Sequence, residues 1–357
     1  MLEITKGEKT VLPEKYHEVN NILAHLYDLL TEICSDEYYL KLKSTEISFN
    51  GNEGLRVDLS DKTQNALDSL KKNGKNIELE EFLTKHLVIR VLTDILNFIY
   101  EAINTAKKGK MSVAYALLRK PFTDELLILE QLLANKEDFL KRFFHDGNVK
   151  GYDPSDRSID ILKIIEASIE SLNFNGTYTA DLIYKLRYDK SIAGGINGIT
   201  NQALHIVTTD PNYRTENQNL NFVFSNIEDT NCQWEHFYFA VPILLMYTSA
   251  VADKIVFQYL DDTENRLTFK NLKRLLAYFN IYTKSRPSYQ EQFYKELSDS
   301  VLKECPCCTN LNKFIEADFK LFFYAGIFLC SKCFNVLTFD KLDLDKLNKM
   351  MFSLPHE

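Results

Sequence analysis

Five of the chain's seven cysteines fall within residues 305–333, and four of them form two C-x-x-C pairs: Cys305 with Cys308, and Cys330 with Cys333. Two residues between thiolates let a tight turn aim both sulfurs at one ion, and two such turns supply a closed tetrahedron. The spacing predicts one structural Zn2+ on Cys305, Cys308, Cys330 and Cys333, with no open position for a substrate. A redox dithiol would explain one pair but not two, and no βαβ pattern of a redox fold surrounds them. Cys307 could replace a neighbour as ligand, although a C-x-C bite is less usual. Between the pairs, Phe319, Leu321, Phe323 and Phe328 with Gly326 fit the short hairpin of a zinc ribbon. Such a ribbon has little core, so ligation supplies much of its folding free energy.

Two further groups carry candidate chemistry. Residues 266–286 contain Arg266, Lys270, Lys273, Arg274, Lys284 and Arg286 and no acid. Arg266, Lys270, Lys273 and Arg274 can share one helix face, which suits a nucleic-acid surface beside the ribbon. The plainer reading, slightly favoured, is a solvated cationic face or an internal docking surface. Glu125 falls in an apolar stripe with Leu118, Phe122, Leu129 and Leu132. A carboxylate so placed needs a cation or a proton, and Arg119 is a partner if Pro121 distorts the turn. A structural pair that fixes helix register explains it more simply. His205 follows a Gly194-Gly195…Gly198 turn and is either a general base or a space-filling histidine. The glycines match no phosphate-loop pattern, and no hydrolase or metalloprotease motif is present.

The elements that must position these residues are helices. Tyr16, Val19, Ile22, Leu23, Leu26, Leu29, Leu30 and Ile33 recur at three- and four-residue steps. Similar stripes predict helices over about 78–107, 112–144 (kinked or split at Pro121), 156–173, 234–260, 264–281, 287–303 and 338–351. Residues 44–60 break the period, as a hairpin turning at Asn50-Gly51 or as a loop. Residues 210–233 read as an extended surface loop. The apolar run 237–252 is shorter than the roughly 20 residues a bilayer core needs, and predicts a buried core helix.

These pieces give a mainly α fold, a helical bundle with a small C-terminal zinc-ribbon module. The expected division is 1–77 (helix with hairpin or loop), 78–262 (helical core), 263–303 (basic linker helices) and 304–357 (ribbon and terminal helix). Scarce Gly and Pro (12 and 8) exclude a turn-rich β sandwich. A net charge of −8 argues against a generic nucleic-acid coat. With no secretory segment at its start and unpaired Cys34 and Cys232, the chain is expected in a reducing cytoplasm. Partners compatible with this pattern are nucleic acid, a protein, or a second copy through an outer helical face.

Residues 114–133 (AYALLRKPFTDELLILEQLL), with LIYKLRYDKS and NQALH further on, resemble the helical core of HEPN-like abortive-infection proteins over roughly residues 80–260. The resemblance implies a polar centre at Arg119, Glu125, Tyr184 and His205 and a role in bacterial antiviral defence. Ribonuclease members use Arg-x(4–6)-His, and no arginine here has a histidine at that offset. Two functions follow as expectations. One is a non-catalytic recognition or scaffold protein acting through the ribbon and basic helix. The other is a HEPN-like ribonuclease with a non-standard site at Arg119, Glu125 and His205.

Overall fold

In the computed structural model, the described residues are 2–49, 52–58, 71, 74–156, 158–172, 178–192, 194–261 and 264–353. The chain divides into a helical unit, residues 1–172 with 179–260, and a second unit, residues 173–178 with 261–357.

In the helical unit, the apolar stripes become α1 (His17–Ser35), α2 (Asn76–Lys107), α3 (Met111–Arg119), α4 (Leu126–Ala134), α5 (Lys136–Leu140), α6 (Ile161–Leu172), α7 (Ala180–Arg187), α8 (Ile196–Leu204) and α9 (Ile227–Val256). Helices α1, α2 and α9 pack together, α3 lies against α2 and α8, and α4 lies against α6 and α9. Leu23, Leu26, Leu30, Leu92, Ile95, Ile99, Leu244 and Met246 are sealed in this core. Helix α9 begins seven residues before the expected Trp234, because Asn226 caps it and Asp229 returns the bond to the Asn226 backbone. The helical stretch Ile227–Tyr259 is long and apolar enough to cross a membrane, yet 89% of its most apolar window is buried inside the protein. It is a core helix.

Residues 44–58 form an antiparallel hairpin of β1 (Ser44–Phe49) and β2 (Asn52–Asp58), with Ser44 opposite Asp58. Its expected turn at Asn50-Gly51 lies outside the described residues. Pro121 splits the third predicted helix through a π-helical turn, Lys120–Glu125. Proline has no N–H for the preceding turn, and widening the turn relieves the clash of its ring. Gly195 caps α8, and a Cβ there would stand 2.9 Å from the Lys185 carbonyl. Backbone proximity requires the glycine, and this makes the Gly-rich turn architectural.

The second unit contains α10 (Glu264–Tyr282), α11 (Pro287–Ser300), α12 (Glu316–Ala325) and α13 (Lys341–Ser353). It also has two minimal hairpins. In one, β3 (Lys303–Glu304) pairs with β4 (Leu311–Asn312). In the other, β5 (Phe328–Leu329) pairs with β6 (Val336–Leu337). Helix α13 packs on α10 and α11, and α12 on α10 and β5.

The segment between the cysteine pairs departs from the expected ribbon hairpin: it is helix α12. Phe319, Phe322 and Phe323 recur at helical spacing and are buried. Glu316 and Asp318 occupy the first turn, and Gly326 closes the helix at φ 74°. Acids at the N-terminus and a left-handed glycine at the C-terminus are helix-end signals, and they outweigh the β propensity of phenylalanine.

Candidate metal centre

Each hairpin of the second unit carries one C-x-x-C pair in its turn, and the two turns are built alike. The Cys305 N–H donates to the Asn310 carbonyl and the Thr309 N–H to the Cys305 carbonyl, both at 2.9 Å. The Cys330 N–H to Asn335 and the Phe334 N–H to Cys330 repeat these bonds at the same length. Thr309 and Phe334 hold equivalent left-handed positions, at φ 55° and 57°. Side chains then clasp one turn to the other. Buried Asn312 accepts from the Ser331 N–H at 2.9 Å and the Ser331 hydroxyl at 3.1 Å, and Asn310 donates to the same hydroxyl at 3.1 Å.

This clasp gathers the four predicted sulfurs within 4.8 Å of one another. Cys305 Sγ lies 3.6 Å from Cys333 Sγ, and Cys308 Sγ 3.6 Å from Cys330 Sγ. A Zn–S bond of about 2.3 Å in a regular tetrahedron requires sulfurs about 3.8 Å apart, so the donor set fits such an ion. Cys307 is exposed and outside the set. Burial opposes ionisation of Cys330, but the Cys333 and Lys332 N–H groups and the neighbouring thiols favour its thiolate and bring it down to about 6. The neighbouring thiols share this effect unequally, since Cys308 and Cys333 are pushed the other way. Beneath the turns, Phe328 packs against Phe322 at 4.5 Å and Phe314 at 4.6 Å, with Phe319 and Phe339 at the edge.

The basic stripe of α10 is not a solvent-facing row. Arg266 is exposed and Lys273 half-buried, but Lys270 is 5% and Arg274 2% exposed. Leu272, Leu275, Leu276, Ala277 and Phe279 are buried too, so apolar positions extend too far round the helix for a free cationic face. None of the four cations lacks a partner in the folded chain. This fits the internal docking surface rather than a row of phosphate contacts.

Arg119 and His205 share the partner Asn201, while Glu125 pairs elsewhere. Arg119 is exposed and donates to Asn201 Oδ1 at 3.3 Å. His205 is an exposed C-cap whose backbone N–H bonds to Asn201 and whose carbonyl accepts from Asn221. Glu125 is buried as expected, but its cation is Lys120 at 3.1 Å, not Arg119. The π turn explains the exchange, since widening it brings residues five apart into register. Burial, then a hydrogen bond with Asp94, push Glu125 up to about 8 despite Lys120.

The polar centre of the helical unit lies elsewhere. Fully buried Arg187, three residues beyond Tyr184, donates to the Phe122 carbonyl at 2.6 Å, Glu130 Oε1 at 2.5 Å and the Tyr188 hydroxyl at 2.9 Å. Tyr247 donates to the same Glu130 oxygen at 2.8 Å, and Tyr188 to the Thr123 carbonyl at 2.7 Å. The widened turn at Pro121 presents these carbonyls. Tyr184 is half-buried, and among the described residues its ring lies near that of Tyr188. Arg187 and Glu130 lie on different helices, so no local spacing announces their pairing. An arginine beside the buried Leu186 and Ile183 is the one signal available. No known protein family, curated protein or solved structure matches the chain.

Proposed function

We propose that this chain is a zinc-stabilised helical recognition or scaffold protein in which the metal folds a binding module and performs no chemistry. The observation that supports this most is the set of four sulfurs within 4.8 Å of one another, two pairs of them at 3.6 Å and two of the cysteines buried, which offers a metal four thiolates and leaves no need for water as a ligand. Zinc suits four thiolates without redox demands, and the matched turns hold the ligands in register. The resemblance to abortive-infection proteins extends the reading to a component of bacterial antiviral defence.

The ribonuclease reading has less support. Arg119 and His205 are exposed and both bond Asn201, Arg119 to its side chain and His205 through its backbone N–H; Glu125 pairs with Lys120 instead, and Arg187 with Glu130 is sealed from solvent. A reacting group must be positioned as well as exposed, and among the described residues Arg119 and His205 make no hydrogen bond to each other or to Glu125.

Phage plating on cells that express the wild-type chain, Cys330→Ser or His205→Ala tests the proposal. Protection lost with Cys330→Ser and kept with His205→Ala supports it. Protection lost with His205→Ala, alongside RNA cleavage by the purified wild-type chain, supports the ribonuclease instead. Equal plating on all three and on empty cells removes the defence role.

A further inference from the structure

One cavity of the second unit holds polar groups that the fold does not use. It encloses about 480 Å³ between one face of α11 and the segment that runs from β4 into α12, and Pro287, Tyr294, Phe314 and Ile315 supply its apolar lining. Small-molecule sites typically enclose about 300–1,000 Å³. Most polar side chains around this one are already engaged. The Tyr294 hydroxyl donates to Asn280 Oδ1 at 3.3 Å, and the Gln290 amide to the Phe279 carbonyl at 3.2 Å. Lys313 pairs with Asp299 at 3.1 Å, and Glu316 with Lys320 at 3.2 Å.

Three groups of the lining are not engaged. Ser298 is 3% exposed, and its hydroxyl has no hydrogen-bond partner. A buried hydroxyl in that state has given up water for nothing, which costs the fold stability. Glu291 and Lys295 are exposed, and among the described residues neither has an ion-pair or hydrogen-bond partner. Glu followed by Lys four residues later is the order that most readily closes a salt bridge on a helix, and here it stays open. At about 100° per residue, Glu291, Lys295 and Ser298 fall within about 60° of one another around the axis of α11. One face therefore presents, in order along the helix, a carboxylate, an ammonium and a hydroxyl beside an apolar hollow.

We infer that this cavity binds a free α-amino acid with a large apolar side chain. Its ammonium pairs with Glu291, its carboxylate accepts from Lys295 and the Ser298 hydroxyl, and its side chain lies against Tyr294, Phe314 and Ile315. An anion without an amine would face the Glu291 charge, and a cation without an acid would face Lys295. Burial of the side chain supplies most of the affinity. The rim charges, being exposed, supply the choice among ligands. The inference goes beyond the recognition-module reading and stands without it, since no cysteine lines the cavity.

Isothermal titration of the zinc-loaded full chain tests it. The probes are L-phenylalanine, L-phenylalaninamide, N-acetyl-L-phenylalanine and glycine. L-phenylalanine should bind, each blocked derivative about tenfold more weakly, and glycine should give no heat. Lys295→Met should weaken L-phenylalanine about tenfold and make it equal to L-phenylalaninamide, whereas Lys295→Arg should preserve binding. Glu291→Gln should likewise erase the preference over N-acetyl-L-phenylalanine. Ser298→Ala should weaken binding about threefold while the free chain unfolds at the same or a higher urea concentration, because the hydroxyl makes no bond there. No binding of L-phenylalanine, equal binding of the blocked derivatives to wild type, or variants that bind as wild type does would each overturn the inference. Equal loss of every probe with Lys295→Met also overturns it, because Lys295 would then shape the cavity without choosing its ligand.

Discussion

The helical unit and the cysteine-bearing unit each gather a cluster of ionisable side chains, but they assemble it over different distances along the chain. In the helical unit, Glu130 on α4, Arg187 on α7 and Tyr247 on α9 meet only after three helices have packed. In the cysteine-bearing unit, each cysteine pair is set by one turn, and the Asn310 and Asn312 clasp joins the two turns. The first cluster is a product of the tertiary fold. The second is close to being its cause, because hairpins of two residues per strand cannot hold themselves together.

The largest effect that would sharpen this contrast is expected from the cysteines. Cys330→Ser removes a buried ligand and with it most of the metal's contribution, of order 10 kcal/mol for structural zinc sites. Residues 303–339 should become sensitive to protease while the helices of residues 17–260 keep their circular dichroism. Collapse of helicity across the whole chain would break the contrast, since the metal would then be integral to the larger core. The centre should also lose zinc as pH falls, because protons compete for thiolates. Titration with a chromophoric chelator measures this.

Next in size is the buried ion pair. Glu130→Leu leaves the Arg187 guanidinium sealed without its counter-charge, and should cost about 3–5 kcal/mol in urea unfolding of the helical unit. The double variant Glu130→Leu with Arg187→Met should cost less than either single change, because no unpaired charge remains. Additive losses would show that the bonds to Phe122 and Tyr188 matter more than the charge pair.

Legibility in the sequence follows the same division. Cys305, Cys308, Cys330 and Cys333 could be read because C-x-x-C encodes a three-dimensional turn in four residues. The long helices could be read because Leu23, Leu26 and Leu30, or Leu92, Ile95 and Ile99, repeat their period. Arg187 with Glu130 could not, since neither residue marks its partner across intervening helices. Glu125 was legible as buried, but its cation was assigned one residue early, because the α period fails where Pro121 widens the turn. Lys270 and Arg274 misled for a related reason: charge on a helix usually marks a solvent face, and here the apolar positions surround them. For α12, aromatic content suggested strands, while Glu316, Asp318 and Gly326 already marked helix ends.

A smaller effect is expected at Glu125. Its folded-state value of about 8 stands above the ordinary carboxylate range because burial disfavours its charge. The native state therefore holds more protons than the unfolded chain between about pH 4.5 and 8, and stability should fall as pH rises through that window. Glu125→Gln should remove this slope and stabilise the helical unit at pH 8 by roughly 1–2 kcal/mol, allowing for solvent around Lys120 and Asp94. Thermal melts at pH 5, 6.5 and 8 check it. Parallel pH curves for wild type and variant would show that Lys120 keeps Glu125 ionised in the fold.

If a closed four-thiolate zinc centre organises the C-terminal unit, X-ray absorption at the zinc edge of the purified chain will show it. One zinc per chain is expected, with four sulfur neighbours at about 2.3 Å and no oxygen or nitrogen bound to it. A chain purified without metal despite added zinc, or a shell with two or three sulfurs completed by water, would contradict it.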